Sequence, residues 1–297
     1  MRRWLDTSTA ALAVADRPTA WLPGALAWLA AVGWLPFLAA VGTLPNVGDL
    51  TAFGAGLATS GAWPFNLVAL VGLLVLAVAG AFALAALGTV AVRAGRSGEP
   101  LTGAAVGRQL GVAVVYGLPA ALAVVIVLVA AAAVAPAEVN RPGTEVDPIV
   151  RILGRVAPLI AFAGLLVVAG ALLTAVAGRE AARRHATLEA VGAAPGALRA
   201  SGTAGALHAA ATLAGGVVLL GVAWLLLDVL WAPIEVRLAG GGPDAVAALL
   251  LVGFVAIWLC LVLGGGAFHA WSTMTWSDLA QRAPAAEPAT SEAAWRP

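Results

Sequence analysis

Apolar residues fall into six long runs, at about residues 20–43, 65–92, 109–134, 154–178, 205–231 and 244–271, separated by short polar segments that carry arginine. Each run has at least the roughly 20 residues that a helix needs to cross a hydrocarbon core. The pattern predicts an all-α, polytopic transmembrane helical bundle of six spans. Residues 1–19 read as a cytoplasmic N-terminal interfacial segment and 20–272 as the six-helix membrane domain. Residues 273–297 read as a cytoplasmic tail. From Ala283 onward the chain is rich in Ala, Pro and Glu with no apolar periodicity, so the tail is expected to be disordered.

Arginine placement sets the expected orientation. Arg2, Arg3 and Arg17 precede the first run, Arg93, Arg96 and Arg108 lie between the second and third, and Arg179, Arg183, Arg184 and Arg199 between the fourth and fifth. With Arg282 and Arg296, twelve arginines fall on one side. Arg141, Arg151, Arg155 and Arg237 make four on the other. The positive-inside rule then places both termini in the cytoplasm, as an even number of spans requires. Trp21, Trp63, Trp231 and Trp271 stand near run ends, where an indole favours the headgroup region; Trp28, Trp34 and Trp258 lie deeper and read as packing residues. Residues 1–15 lack a sufficient apolar core for a signal peptide and suit a surface helix with Trp4, Leu12 and Val14 as contacts. The segment 136–147, with Pro136, Glu138, Pro142 and Gly143, reads as an irregular external loop.

Composition agrees with a bilayer as solvent. Hydrophobic residues make up 62% of the 297 and charged residues 10%, against about half and a quarter in soluble domains. A net charge of +1 offers no basic face for nucleic acid. Cys260, alone inside the sixth run, can form no intramolecular disulfide. Small residues at four-residue spacing, as in Gly170, Thr174 and Gly178 or Ala77, Ala81 and Ala85, allow close helix approach.

Ionisable groups at membrane depth are costly and therefore candidates for function. Asp228 lies about one turn from the outer end of the fifth run, where it can act as a coupling carboxylate or as an interfacial acid paired with Arg237. His208 and His269 sit near the cytoplasmic ends of the fifth and sixth runs. Two histidines without a nearby Cys or carboxylate make a poor metal site, so packing is the simpler reading. No cofactor or metal is expected. The sequence holds no H-E-x-x-H, no G-x-x-x-x-G-K-[ST], no G-x-S-x-G and no C-x-x-C. That leaves an intramembrane enzyme using Asp228 and a histidine as a third, minor reading.

The most individual stretch is 178–201, which joins the fourth and fifth runs. Arg179, Glu180, Arg183, Arg184 and His185 lead into Leu188, Glu189 and Val191, and then to Arg199. A short interfacial helix broken near Gly192 and Pro195 is expected, with Arg179, Arg183, Arg184, His185, Glu189 and Arg199 touching lipid headgroups or a partner. Residues 187–192 and 197–201 resemble the Leu-Glu-x-x-Gly and Ala-Leu-Arg-x-Ser segments of six-span prokaryotic proteins related to the glycerophosphoryl diester phosphodiesterase membrane domain. Asp16-Arg17-Pro18 and 95–99 are similar to that family's layout. The resemblance implies a membrane domain without a catalytic centre. Residues 183–193 also resemble, more weakly, the cytoplasmic turn of ABC permeases of the lipoprotein-release and cell-division type, whose large extracytoplasmic domain this chain has no room for. The expected function is a non-catalytic, permease-like or membrane-organising component of a prokaryotic cell membrane. Its partners are lipid and other membrane subunits. The alternative is an ABC-type permease subunit served by a separate cytoplasmic ATPase.

Overall fold

The computed structural model describes residues 2–15, 17–42, 56, 59, 65–97, 100–139, 148–184, 186–241 and 244–281. In these residues the chain forms α1 (Arg2–Ala15), α2 (Pro18–Trp28), a π-helical segment (Leu29–Gly33), α3 (Leu35–Val41), α4 (Phe65–Ser97), α5 (Gly103–Val139), α6 (Pro148–Arg184), α7 (Thr187–Gly241) and α8 (Ala245–Gln281). No strand occurs among the described residues. Five helices, α4 to α8, are long and apolar enough to cross a bilayer, and the bent pair Pro18–Gly33 and Leu35–Val41 brings the number to six if it counts as one span. The chain is a multi-pass membrane protein.

The first run bends by 48° between Gly33 and Leu35, directly after the π-helical segment. Pro36, in the first turn of α3, has no N–H to give and its ring crowds the carbonyl of Val32, which widens the preceding turn. Trp258 Nε1 donates to the Gly33 carbonyl at 3.1 Å, so the break stays satisfied from α8. Trp28 and Trp258 pack as expected, against Phe268 at 5.9 Å and Phe37 at 5.0 Å; Trp34 does not, and is exposed.

Helix starts follow local chemistry. The Thr102 hydroxyl accepts the Ala105 N–H at 3.2 Å, and Asp244 Oδ1 accepts the Ala247 N–H at 2.6 Å. Each side chain thus caps α5 or α8 through the third helical N–H. The helices overrun their apolar runs at several ends. α5 continues through Pro136 to Val139, so 136–139 is helix and not irregular loop. Glu138 there is buried and ion-paired with Arg151 at 3.3 Å and Arg155 at 3.2 Å of α6. Residues 140–147, the rest of that expected loop, lie outside the described residues, as do Trp63 and the tail from Arg282. α8 likewise continues through 273–281, which the sequence assigns to the tail, with Met274, Trp276 and Leu279 buried.

Helix contact relies on glycine. A Cβ at Gly266 of α8 would lie 2.6 Å from both the Trp21 carbonyl oxygen and Ala25 Cα of α2, and one at Gly170 of α6 would lie 2.6 Å from the Tyr116 carbonyl oxygen of α5. Backbones can approach this closely only where no side chain intervenes. Of the four-spaced residues, Gly170 and Gly178 meet α5, whereas Ala77 is exposed.

α1 forms as a helix and lies along the end of α8. Arg3 Nη2 donates to the Leu279 carbonyl at 3.1 Å and Trp271 Nε1 to the Ser8 carbonyl at 3.2 Å. Thr7, Ser8 and Ala11 face the bundle, while Leu12 points away from it. Both terminal helices therefore meet at one end, the end that also holds Arg93, Arg108 and Arg179.

Candidate functional site at the basic end of the bundle

Four helices bring polar side chains together at this end. α4 supplies Arg93, α5 Gln109 and Tyr116, α6 Arg179 and Glu180, and α7 the segment 187–201. Arg93 Nη1 donates to Gln109 Oε1 at 2.9 Å, and both side chains are buried. The Gln109 amide rests on Gly178, where a Cβ would come within 2.8 Å of its Nε2. Gly178 of α6 thus leaves room for a polar tie between α4 and α5.

Arg179 and Glu180 belong to the end of α6, not to an interfacial helix. Arg179 is 5% exposed, which removes it from the expected contact surface. Glu180 is also buried and holds Arg184 Nε at 3.1 Å and Arg183 Nη1 at 3.6 Å, one helical turn away. Both arginines remain about half exposed but share one carboxylate. His185 lies outside the described residues. Glu189 and Arg199 are exposed, as is Leu188 at 82%.

Segment 187–201 is helical without the expected break near Gly192 and Pro195. Its break comes at Gly202, whose φ of 57° and ψ of −144° lie outside the helical region. Glycine tolerates a positive φ without steric cost, so the chain turns there into the long apolar part of α7. Helix survives Pro195 for a visible reason. Proline removes the N–H that would bond the Val191 carbonyl, and the Tyr116 hydroxyl donates to that carbonyl at 2.7 Å. Ala190 and Ala194 are fully buried against Val112 of α5, Val176 and Ala177 of α6, and Trp276 of α8.

No known protein family, curated protein or solved structure matches the chain. What this end can do therefore rests on its side chains alone. The two histidines each face a different neighbour. His208 Nε2 lies 3.1 Å from the Ser272 carbonyl, which can only accept, so that nitrogen carries the proton. Its ring is fully buried between Trp271 and Trp276, at 5.0 and 5.1 Å. Trp271, expected at the headgroups, is thereby held between α1 and His208. His269 Nε2 lies 3.1 Å from Thr89 Oγ1, whose own proton goes to the Ala85 carbonyl at 2.8 Å. His269 therefore donates, and ties α8 to α4. Among the described residues no three His, Cys, Asp or Glu side chains converge as metal ligands.

Asp228 is exposed on α7, and its expected pairing with Arg237 is replaced. Arg237 Nη1 donates to Asp244 Oδ2 at 2.9 Å. Nine residues along a helix of 3.6 per turn put Asp228 and Arg237 on opposite faces, which prevents the pair. At mid-depth, Trp28, Pro36, Leu220 and Trp258 line an apolar cavity of about 20 Å³, room for about one water. Gln109 and Tyr116 are the site residues that sequence reasoning missed. A glutamine inside an apolar run was the signal available for the first.

Proposed function

We propose that the chain is a non-catalytic, permease-like or membrane-organising component of a prokaryotic cell membrane, with six spans and both termini in the cytoplasm. It works through segment 187–201, which contacts the headgroup layer or another membrane subunit. The observation that carries this reading is the segment's construction. One face, with Ala190 and Ala194, is fixed on three helices, while Leu188, Glu189 and Arg199 are presented outward at the basic end. An apolar anchor beside charge suits a contact surface. The polar groups at helix depth support the non-catalytic part, since His208 and His269 are spent on hydrogen bonds between helices. The meeting of α1 with the end of α8 supports termini on one side.

Two experiments test this. In a Cys260→Ala background, cysteines at Ala200 and Ala239, both exposed, should label with an impermeant maleimide from opposite sides; labelling from the same side rejects the topology. A strain whose only copy carries Leu188→Asp and Arg199→Glu should reproduce the transport or envelope defect of the deletion. Unaltered behaviour rejects the role of the segment. The second reading, a permease subunit docked on a separate ATPase, is favoured by the elbow at Gly202 between that surface and the span. It requires an ATPase that co-purifies with the wild type and is lost from the double variant.

A further inference from the structure

Asp228 is exposed on α7 and has no hydrogen bond or ion pair among the described residues. Its depth is set by α8. Leu227 beside it packs in one buried cluster with Phe254, and the Trp231 and Phe254 rings lie 5.5 Å apart. Phe254 stands nine residues past Ala245, where α8 starts, which is about 14 Å along the axis. From Ala245 to Ser277 that helix carries no Asp, Glu, Lys or Arg. Charged side chains at membrane depth face a bundle interior or a water-filled cavity and pair there, because a carboxylate turned towards lipid is costly. Asp228 does neither within its own chain, so its counter-charge comes from outside it.

Arg155 of α6 has the matching charge at the matching level. Its Nε meets Glu138 at 3.2 Å, a carboxylate that Arg151 shares, and its side chain is 63% exposed. The cluster that joins α6 and α7 at the basic end reaches deepest at Val176 and Ala209. From there Arg155 lies 21 residues along α6 and Asp228 19 residues along α7, about 31 and about 28 Å towards the far end. The register continues inward. Seven residues from Arg155 stands Phe162, which is exposed, and seven from Asp228 stands Gly221, where a Cβ would meet nothing within 4 Å. Seven residues make about two turns, so Arg155 and Phe162 share one face of α6, as Asp228 and Gly221 share one face of α7. The two helices run in opposite directions. An α6 laid along the α7 of another copy, with Arg155 at Asp228, therefore sets Phe162 opposite Gly221, and a glycine there lets the helices approach closely.

We propose that a second copy of this chain packs on the α6–α7 face in the membrane, with Asp228 of each copy paired to Arg155 of the other. Two-fold symmetry makes the contact self-complementary, so each ion pair and each meeting of Phe162 with Gly221 occurs twice. The surface lies towards the far end from segment 187–201 and stands whether or not that segment recruits a partner.

The test is single-molecule photobleaching of the full-length protein, labelled through Ala200→Cys in a Cys260→Ala background and reconstituted at low density in phosphatidylcholine vesicles. The otherwise wild-type protein should bleach in two steps. Asp228→Arg or Arg155→Asp alone should shift it to one step, and the two together should return it to two, because the pair is then restored with its charges exchanged. Gly221→Trp leaves both charges in place and projects into open space within the chain, and it should also give one step. One-step bleaching of the otherwise wild-type protein overturns the proposal. So does a two-step pattern that either single reversal or Gly221→Trp keeps, or a double reversal that stays at one step. Should Arg155→Asp fail to accumulate, since it also loses its bond to Glu138, Asp228→Asn and Gly221→Trp decide, and two-step bleaching kept by either overturns the proposal.

Discussion

Tyr116→Phe should destabilise the protein only because Pro195 is there. In the wild type the Tyr116 hydroxyl donates at 2.7 Å to the carbonyl that Pro195 leaves without its helical donor. Removing the hydroxyl costs the net value of one hydrogen bond, about 1 kcal/mol, and leaves the half-buried Val191 carbonyl unsatisfied, which brings the total to about 1–2 kcal/mol. In a Pro195→Ala background the substitution restores an N–H to the same carbonyl. The same Tyr116→Phe change should then cost about 0.5 kcal/mol or less. The coupling between the two sites is therefore about 1 kcal/mol, although they are 79 positions apart and on different helices. The assay is a double-mutant cycle of equilibrium unfolding in detergent, with hydrogen exchange of the amides in 187–201 as a local readout. Tyr116→Phe alone should speed exchange there, and Pro195→Ala should slow it again. A coupling near zero, or unchanged exchange in the single variant, refutes the account of how this helix passes its proline.

Gly266→Ala should destabilise the α2–α8 contact by about 1–3 kcal/mol, because its Cβ would sit 2.6 Å from Trp21 and Ala25 backbone atoms. Gly253→Ala on the same helix meets nothing within 4 Å and should be neutral or stabilising by up to about 1 kcal/mol; equal unfolding of the two would count against the packing. The Asp244 carboxyl is held below its ordinary pKa of 3.8 by the Ala247 N–H first and by Arg237 next. Its folded pKa is depressed, so the stabilisation is complete above the unfolded value and fades as pH falls through 3.8 and below. A stability profile between about pH 7 and 3 should therefore lose part of its acid slope in Asp244→Asn, and an identical slope would contradict the cap. Trp258→Phe should cost about 1 kcal/mol through the lost bond to the Gly33 carbonyl, read as faster exchange across 29–36.

Much of the fold is legible in the hydropathy pattern, because span length and the cost of unpaired backbone in lipid leave helices as the available answer. Helix ends are less so. Arg179 and Glu180 end an apolar run, yet both continue α6, since charged residues of high helix propensity do not stop a helix. The expected break at Gly192 and Pro195 follows local rules correctly and is overridden by Tyr116, a residue from another helix that no local rule can supply. Arg179 is the clearest case at the candidate site. It is buried at the end of α6 beside Gly178, which lies under the Gln109 amide, a contact between helices whose partners are remote in sequence. Asp228 and Arg237 show the reverse, since their spacing alone already argued against a pair.

Segment 187–201 packs where two groups of helices meet. α5 and α6 are joined to each other by the Gly170 contact near mid-depth and by Glu138 with Arg151 and Arg155 at the far end. α3, α7 and α8 share a separate far-end cluster built on Leu227, Ile234 and Phe254. At the basic end the two groups meet in one cluster, which unites Val112, Val176, Ala190, Ala194 and Trp276. Segment 187–201 thus supplies side chains to the joint between the groups. Ala190 and Ala194 pack inside that joint, whereas Leu188 and Arg199 of the same segment face outward. Apolar burial does little to hold helices together in lipid, so such a joint depends on close packing and on bonds like that from Tyr116 to Val191. The outward and buried faces of the segment are two sides of one short helix, so substitutions on either side test the surface and the packing separately.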